Sequence, residues 1–207
     1  MGLDTSINRN DVTTILNLSG GLDSVYAFWK YITTHKNPLL VHHVVLKSKE
    51  RRWEYETRAV NAVLDWMNTH GYTNYEYIET VFDYVQTDTM VLDDQIVAFF
   101  TGIILKSNKW KNLKYTLMNA PKDEYVRLGT RLDRMRAKSK KVLESITNKE
   151  LIPLYNLREK WKWEIVEEIP KSLRVLSWSC RRPTKDGDVC RSCHTCKQLA
   201  KKRPQEV

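Results

Sequence analysis

Glycine is scarce in this chain, with seven in 207 residues, and proline is no commoner at six. That scarcity excludes collagen-like and low-complexity architectures, which need those residues in bulk. No apolar run approaches the roughly eighteen residues a membrane span requires. The opening "MGLDTSINRN" has no apolar core of the kind a secretory leader carries, so the expectation is a cytoplasmic protein without a membrane partner. Cysteine is missing from residues 1–179, which argues against a disulfide-dense secreted scaffold. Acidic residues are the minority charge, 25 against 34 lysines and arginines, for a formal net charge of +9. Such a balance favours negatively charged partners: nucleotides, polyphosphate or nucleic acid.

What is present is a globular composition, 42% hydrophobic and 29% charged, at a length that suits one well-buried core with a small appendage. Two of the few glycines stand side by side in "LNLSGGLDS" (16–24). The preceding "VTTILNL" (12–18) is short and rich in β-branched and aliphatic residues, which predicts a buried strand. From Leu22 to about His35, Val25, Phe28, Trp29 and Ile32 recur at helical spacing. The alternation continues with a strand over 38–46, a helix over 53–69 closed by Gly71, and a strand over 75–80. A helix over 93–106 with Asp93 or Asp94 as cap and a strand over 113–120 ended by Pro121 follow. Strands alternating with helices predict an α/β fold, a doubly wound parallel sheet covered on both faces. Beyond it come a basic loop and helix (about 121–147), "LIPLYNL", and a helix with Trp161, Trp163, Ile165 and Val166 that Pro170 ends.

A glycine-rich turn between a first strand and first helix brings backbone N–H groups and a helix N-terminus to the carboxyl edge of the sheet, where such folds bind ligands. Ser19 and Ser24 add hydroxyls, Gly20 and Gly21 allow close approach, and Asp23 can reach a magnesium ion or its waters. This is a polyphosphate cradle in its chemistry. It lacks the Gly-Lys-Ser/Thr ending of a Walker A loop and the three spaced glycines of the dinucleotide fingerprint.

All four cysteines fall in the last 28 residues, as Cys180, Cys190, Cys193 and Cys196. Two-residue gaps let successive thiolates face one point. The longer gap, with Pro183 and the turn at Asp186 and Gly187, lets the chain double back to supply a fourth corner. The pattern points to a structural zinc site, with His194 a neighbour that four thiolates do not require. An iron–sulfur cluster also uses two-residue gaps, though the usual downstream Cys-Pro is missing. Separately, residues 106–141 hold twelve Lys or Arg against three acids, which offers nucleic acid a docking surface or is simply a solvated helix face.

The hexapeptide Ser19-Gly20-Gly21-Leu22-Asp23-Ser24 resembles the Ser-Gly-Gly-x-Asp-Ser motif of the PP-loop ATP pyrophosphatases, a superfamily with an adenine nucleotide alpha hydrolase-like, Rossmann-like fold. "SWSC" followed by Cys190, Cys193 and Cys196 is similar to the C-terminus of its 7-cyano-7-deazaguanine synthase (QueC) family. "IPLYNL" (152–157) and "KWEIV" (162–166) are similar to that family's apolar-Pro-Leu segment and Lys-x-Glu-Ile helix, with a spacing about three residues longer. The resemblance runs from about Val12 to Leu199 and is dense only at the two ends.

The resemblance implies a domain over residues 1–170 that splits ATP between its α- and β-phosphates, and a zinc-binding segment over 171–207. It implies ATP contacts at Leu18, Ser19, Gly20, Gly21, Leu22, Asp23, Ser24 and Val45, catalytic roles for Asp23, Ser24 and Lys162, and zinc at Cys180, Cys190, Cys193 and Cys196. Arg131 and Asp133 are its candidates for reading substrate. The implied reaction uses ATP, Mg2+ and ammonia to convert 7-carboxy-7-deazaguanine to 7-cyano-7-deazaguanine, in an enzyme that forms a homodimer. Departures lie in the middle: "LKSKERRWE" (46–54) stands where the family has Asp-Tyr-Gly-Gln, and "MNAPKDEYVRLGTRLDRMR" (118–136) keeps only Asn119-Ala120 of the family's substrate loop. The alternatives are an enzyme of the same core that adenylates a nucleic-acid base, and a non-catalytic nucleotide- or nucleic-acid-binding module.

Overall fold

The computed structural model describes residues 7–86, 93–155 and 157–200. Five strands, β1 (Thr14–Asn17), β2 (Leu39–Lys47), β3 (Tyr75–Asp83), β4 (Tyr115–Leu117) and β5 (Ile152–Leu154), form one sheet in the order β3-β2-β1-β4-β5. Every pairing is parallel, with Ile15 opposite Leu40 on one side of β1 and opposite Thr116 on the other. Pro153 lacks a backbone donor and sits in the outermost strand β5, where a missing ladder bond is tolerated.

The period-two alternation of the central strands separates two cores. Leu16, Leu39 and Val41 face α1 (Leu22–Thr34) and α2 (Trp53–Thr69), with α6 (Lys162–Glu168) closing the cluster through Ile165. Ile15 and Leu40 face the other way, onto Ile104 and Leu105 of α3 (Asp93–Lys106) and onto Trp110. A doubly wound parallel sheet is therefore the observed architecture. The helices α1, α2 and α3 match the expected ranges to within a residue, because each carries an uninterrupted apolar stripe.

Two stretches differ from expectation. The fourth strand is three residues long, since Leu113 packs with Trp110 before pairing begins and Met118 only donates its amide to Leu154. The basic stretch after Pro121 is two helices, α4 (Lys122–Leu128) and α5 (Thr130–Ile146), that part at Gly129. After α6 the chain makes one short turn, α7 (Lys171–Arg174), and ends its described course in α8 (His194–Leu199). Among the described residues no helix is long and apolar enough to cross a membrane.

Candidate functional site

Strand order reverses beside β1: the chain builds outward to β2 and β3, then returns to place β4 on the other flank. Open α/β sheets bind ligands at such a switch point, beyond the carboxyl ends of the strands. Here those ends are Asn17, Leu18 and Ser19 after β1 and Met118, Asn119 and Ala120 after β4, and all six line a cavity of about 790 Å³.

The turn from β1 into α1 is ordered by its own serines. The Ser24 hydroxyl donates to the Gly21 carbonyl at 3.0 Å and accepts from the Ser19 amide at 3.2 Å and the Ser19 hydroxyl at 3.1 Å. Gly20 has φ +77°, and a Cβ built there would lie 2.7 Å from the Glu56 carbonyl oxygen in α2, so the loop lies directly on that helix. Gly21 is the N-cap of α1 and offers no side chain to the first-turn N–H groups. One of them, the Leu22 amide, donates instead to Ser179 Oγ at 3.0 Å, and the Trp178 amide donates to the Gly20 carbonyl at 2.8 Å. Residues 178–179 thus close on the turn after β1.

Asp23 lies in the first turn of α1, where the helix dipole favours negative charge. Its Oδ2 is 2.9 Å from the Lys162 ammonium, and Lys162 is only 4% exposed. The Lys162 amide at the start of α6 donates to Asp123 in α4 at 2.6 Å, which seats the lysine's backbone. Burial raises the Asp23 pKa, with Lys162 opposing and Glu124 and Asp123 adding to the rise. The other oxygen, Asp23 Oδ1, is buried without a hydrogen-bond partner. An anionic oxygen with free lone pairs at the head of a phosphate-sized turn is a donor that a hard divalent cation takes, so the residues fit magnesium carried with a nucleotide.

A second polar layer lies behind the loop. His42, fully buried, faces Asn17 Oδ1 through Nδ1 and Thr80 Oγ1 through Nε2, both at 3.0 Å. Burial, with neighbouring His43 adding to it, lowers the His42 pKa to about 4, so the ring is neutral at physiological pH. His43 bonds the Leu18 carbonyl at 2.8 Å and Thr57 Oγ1 at 3.1 Å, which ties the end of β1 to α2. On the rim, Arg52 gathers Glu50, Glu56 and Asp93.

At the end of the described chain, the Sγ atoms of Cys180, Cys190, Cys193 and Cys196 all lie within 4.8 Å of one another, and none is in a disulfide. The Cys190 amide donates to Cys180 Sγ at 3.3 Å and the Cys193 amide to Cys190 Sγ at 3.2 Å. Arg191, with φ +54°, turns the chain tightly enough for the second of these bonds. Hydrogen bonds from Ser192 and from the Cys193 amide hold the Cys190 thiol well below its usual range. Four convergent sulfurs fit a metal ion in tetrahedral coordination with no open position.

The structure brings Leu18, Ser19, Gly21, Asp23 and Lys162 together at the cavity. Gly20, Leu22 and Ser24 lie behind them and shape the turn. The other residues expected to contact ATP or substrate lie off the cavity wall. Val44 and Leu46 of β2 line the cavity, whereas Val45 shares the face of His43, toward α2. Arg131 and Asp133 are exposed, flanking the buried Leu132, and line no part of the cavity. Arg136 and Ser139 of the same helix do line it. Sequence reasoning missed these two, along with His42 and Ser179. The paired histidines in "PLLVHHVVL" were the available signal, since two polar residues inside a buried strand need partners.

No protein-family model matches the sequence, and no curated protein matches it either. Among solved structures, the chain is similar to the U34-tRNA thiolase NcsA from Methanococcus maripaludis with its 4Fe-4S cluster, at 18% identity and a TM-score of 0.49. The likeness covers 84% of this chain and 58% of the thiolase, so the chain spans less than two thirds of that protein's length. It is also similar to NMN synthetase from Francisella tularensis, at 12% identity and a TM-score of 0.39, over 78% of this chain and 67% of the synthetase. Both likenesses are partial, and neither assigns a function to this chain.

Proposed function

We propose that the chain is an ATP-using enzyme of the PP-loop type that transfers AMP from ATP to an oxygen of its acceptor and releases pyrophosphate. The observation that carries the proposal is the Ser19–Ser24 turn. It sits at the switch point of a parallel sheet, with the N-terminus of α1 facing a large cavity and Asp23 paired to Lys162 through Oδ2 while its Oδ1 is buried without a partner.

In this reading the first-turn N–H groups of α1 other than that of Leu22 hold the pyrophosphate end of ATP, and the Ser19 hydroxyl exchanges Ser24 for a phosphate oxygen. Asp23 Oδ1 holds the magnesium that accompanies the nucleotide and offsets phosphate charge. Lys162 keeps Asp23 ionised and places positive charge beside the leaving group. Ser24 acts through the loop, as a positioning residue. The four cysteines hold one structural zinc ion, which suits an all-thiolate set with no site for water or substrate.

For the acceptor we propose a 7-deazaguanine carboxylate, as in QueC-like enzymes, with ammonia displacing AMP from the activated carboxyl. Adenylation suits a carboxylate because it turns an oxygen that cannot leave into one that does. A nucleic-acid acceptor is the second reading. It is favoured by the exposed Arg131, Arg134, Lys138 and Lys141 on the outer side of α5, a helix whose inner side lines the cavity.

Release of pyrophosphate and AMP from ATP with a panel of acceptors separates the readings: the free deazaguanine carboxylate, tRNA, duplex DNA and none. The Asp23→Asn variant, folded by circular dichroism, is expected to lose at least 99% of turnover, since roughly 3 kcal/mol of lost transition-state stabilisation is more than a hundredfold. A folded variant that keeps most of its activity sinks the assignment of this loop.

A further inference from the structure

Where α5 meets the cavity it is apolar at Leu132, Met135 and Leu143 and polar at Arg136, Ser139, Lys140 and Glu144, with Arg136 and Ser139 one helical turn apart. Arg136 is held by two tyrosines. Its Nη2 donates to the Tyr125 hydroxyl at 2.6 Å, and its guanidinium lies 4.6 Å from the Tyr125 ring centre and 5.4 Å from that of Tyr155. Two of its neighbours on the cavity wall have their charges met, Lys140 by Glu144 and Glu150, and Glu124 by Arg127. Among the described residues no carboxylate pairs with Arg136. Arg136 Nε and Ser139 Oγ are both buried with no hydrogen-bond partner. A charged donor and a hydroxyl buried without partners are unfavourable in a folded protein, and two on adjacent turns of one helix, facing one cavity, mark a place that a ligand completes.

We propose that Arg136 and Ser139 form the acceptor subsite, taking a carboxylate on a planar aromatic ring whose face rests against Tyr155. The guanidinium edge matches a carboxylate in shape and charge, and the hydroxyl supplies a further donor to the same group. Tyr155 lines the cavity and is 43% exposed, with the Arg136 and Arg158 guanidiniums 5.4 and 5.8 Å from its ring centre, so a planar anionic ligand would meet the exposed part of the ring beside two cations. This subsite deepens the carboxylate reading of the acceptor and rests on it. It replaces Arg131 and Asp133 as the residues that read substrate.

The test is a calorimetric titration without ATP, using 7-carboxy-7-deazaguanine, its neutral amide and a short oligoribonucleotide, beside a separate ATP titration. The expected result is that the carboxylate binds the unaltered protein more tightly than the amide does. Arg136→Gln should weaken the carboxylate about tenfold to a hundredfold, the worth of a hydrogen bond to a charged group, and leave ATP affinity unchanged. Arg136→Lys should not restore it, because an ammonium lacks the planar fork. Ser139→Ala should weaken the carboxylate roughly three- to tenfold while leaving the thermal midpoint of the ligand-free protein where it was, since it removes a hydroxyl that bonds nothing. That last pair of readouts keeps the test decisive if the arginine variants fold poorly.

Equal binding of carboxylate and amide, or Arg136→Gln binding the carboxylate as the unaltered protein does, overturns the subsite. So does oligoribonucleotide binding alone. A protein that binds ATP and no carboxylate loses the subsite with the loop assignment intact. One that binds the carboxylate and no ATP loses the loop assignment with the subsite intact.

Discussion

Gly20 and Gly71 have nearly the same backbone torsion, φ +77° and +78°, in very different surroundings, and this pair tests the architecture of the loop. A side chain in the left-handed region costs about 1–2 kcal/mol from torsion alone. At Gly71, just past the C-terminus of α2, nothing lies within 4 Å of an added Cβ, so Gly71→Ala should cost only that torsional amount. At Gly20 the added carbon would meet the Glu56 carbonyl oxygen at 2.7 Å, Ala59 Cβ at 3.2 Å and Val60 Cγ2 at 3.3 Å. The first of these is backbone inside a helix and cannot swing aside. Overpacking of this kind adds roughly 1–3 kcal/mol, for a total of about 2–5 kcal/mol. For a chain of this size the thermal midpoint should fall by roughly 4–20 °C for Gly20→Ala and about 2–8 °C for Gly71→Ala. Calorimetric melts of the two variants under one buffer supply the comparison, with ATP titrations alongside. Gly20→Ala should also lose ATP affinity, because relief of the clash pushes the loop away from α2, whereas Gly71→Ala should keep it. Equal destabilisation by the two substitutions would refute the reasoning, since it would mean that the loop does not rest on α2 as described.

Lys162→Met should remove the only cation paired with Asp23 among the described residues, lower stability by roughly 3 kcal/mol and abolish AMP formation, as measured by urea unfolding and single-turnover assay. His42 carries a pKa depressed from 6.5 to about 4, so the folded state binds fewer protons than the unfolded chain below pH 6.5. The resulting stability is complete above that pH and is lost as pH falls toward 4, by about 2 kcal/mol between pH 6.5 and 5. Urea midpoints at pH 7 and pH 5 should differ by less in His42→Asn than in the unaltered protein. Cys193→Ser should abolish stoichiometric metal, lower the thermal midpoint and reduce soluble yield. Elemental analysis showing an unchanged metal content in that variant would contradict a four-thiolate site.

Much of the fold was legible because its signals are local. In α2 and α3 the apolar stripe, the first-turn acids and a terminating glycine or basic residue agree with one another, and the observed boundaries coincide with those expected. The Ser19–Ser24 turn was legible for the same reason, being six consecutive residues between a strand and a helix. The acceptor wall was harder to read. A run as basic as residues 121–141 hides which side chains turn inward, and the resemblance, which diverges after Ala120, points there only to Arg131 and Asp133. The helical phase set by the apolar Leu132, Met135 and Leu143 points instead to Arg136 and Ser139. The bonds of Trp178 and Ser179 to the loop span more than 150 residues of chain and leave no periodic trace in the sequence.

Those two bonds bear on how the cysteine segment and the nucleotide loop relate. Trp178 stacks on Tyr55 of α2 at 4.7 Å between ring centres, and its indole N–H donates to the Cys180 carbonyl at 3.0 Å. The same residue's amide holds Gly20, and the next residue's hydroxyl holds Leu22. Cys180, buried, is therefore one residue removed from the hydroxyl that accepts from the first turn of α1. A metal bound by the four thiolates would fix the position of Cys180, and through it the segment that closes on the turn. Under the proposed function the cysteines would then act on nucleotide binding without touching the nucleotide, by ordering the backbone beside Gly20 and Leu22.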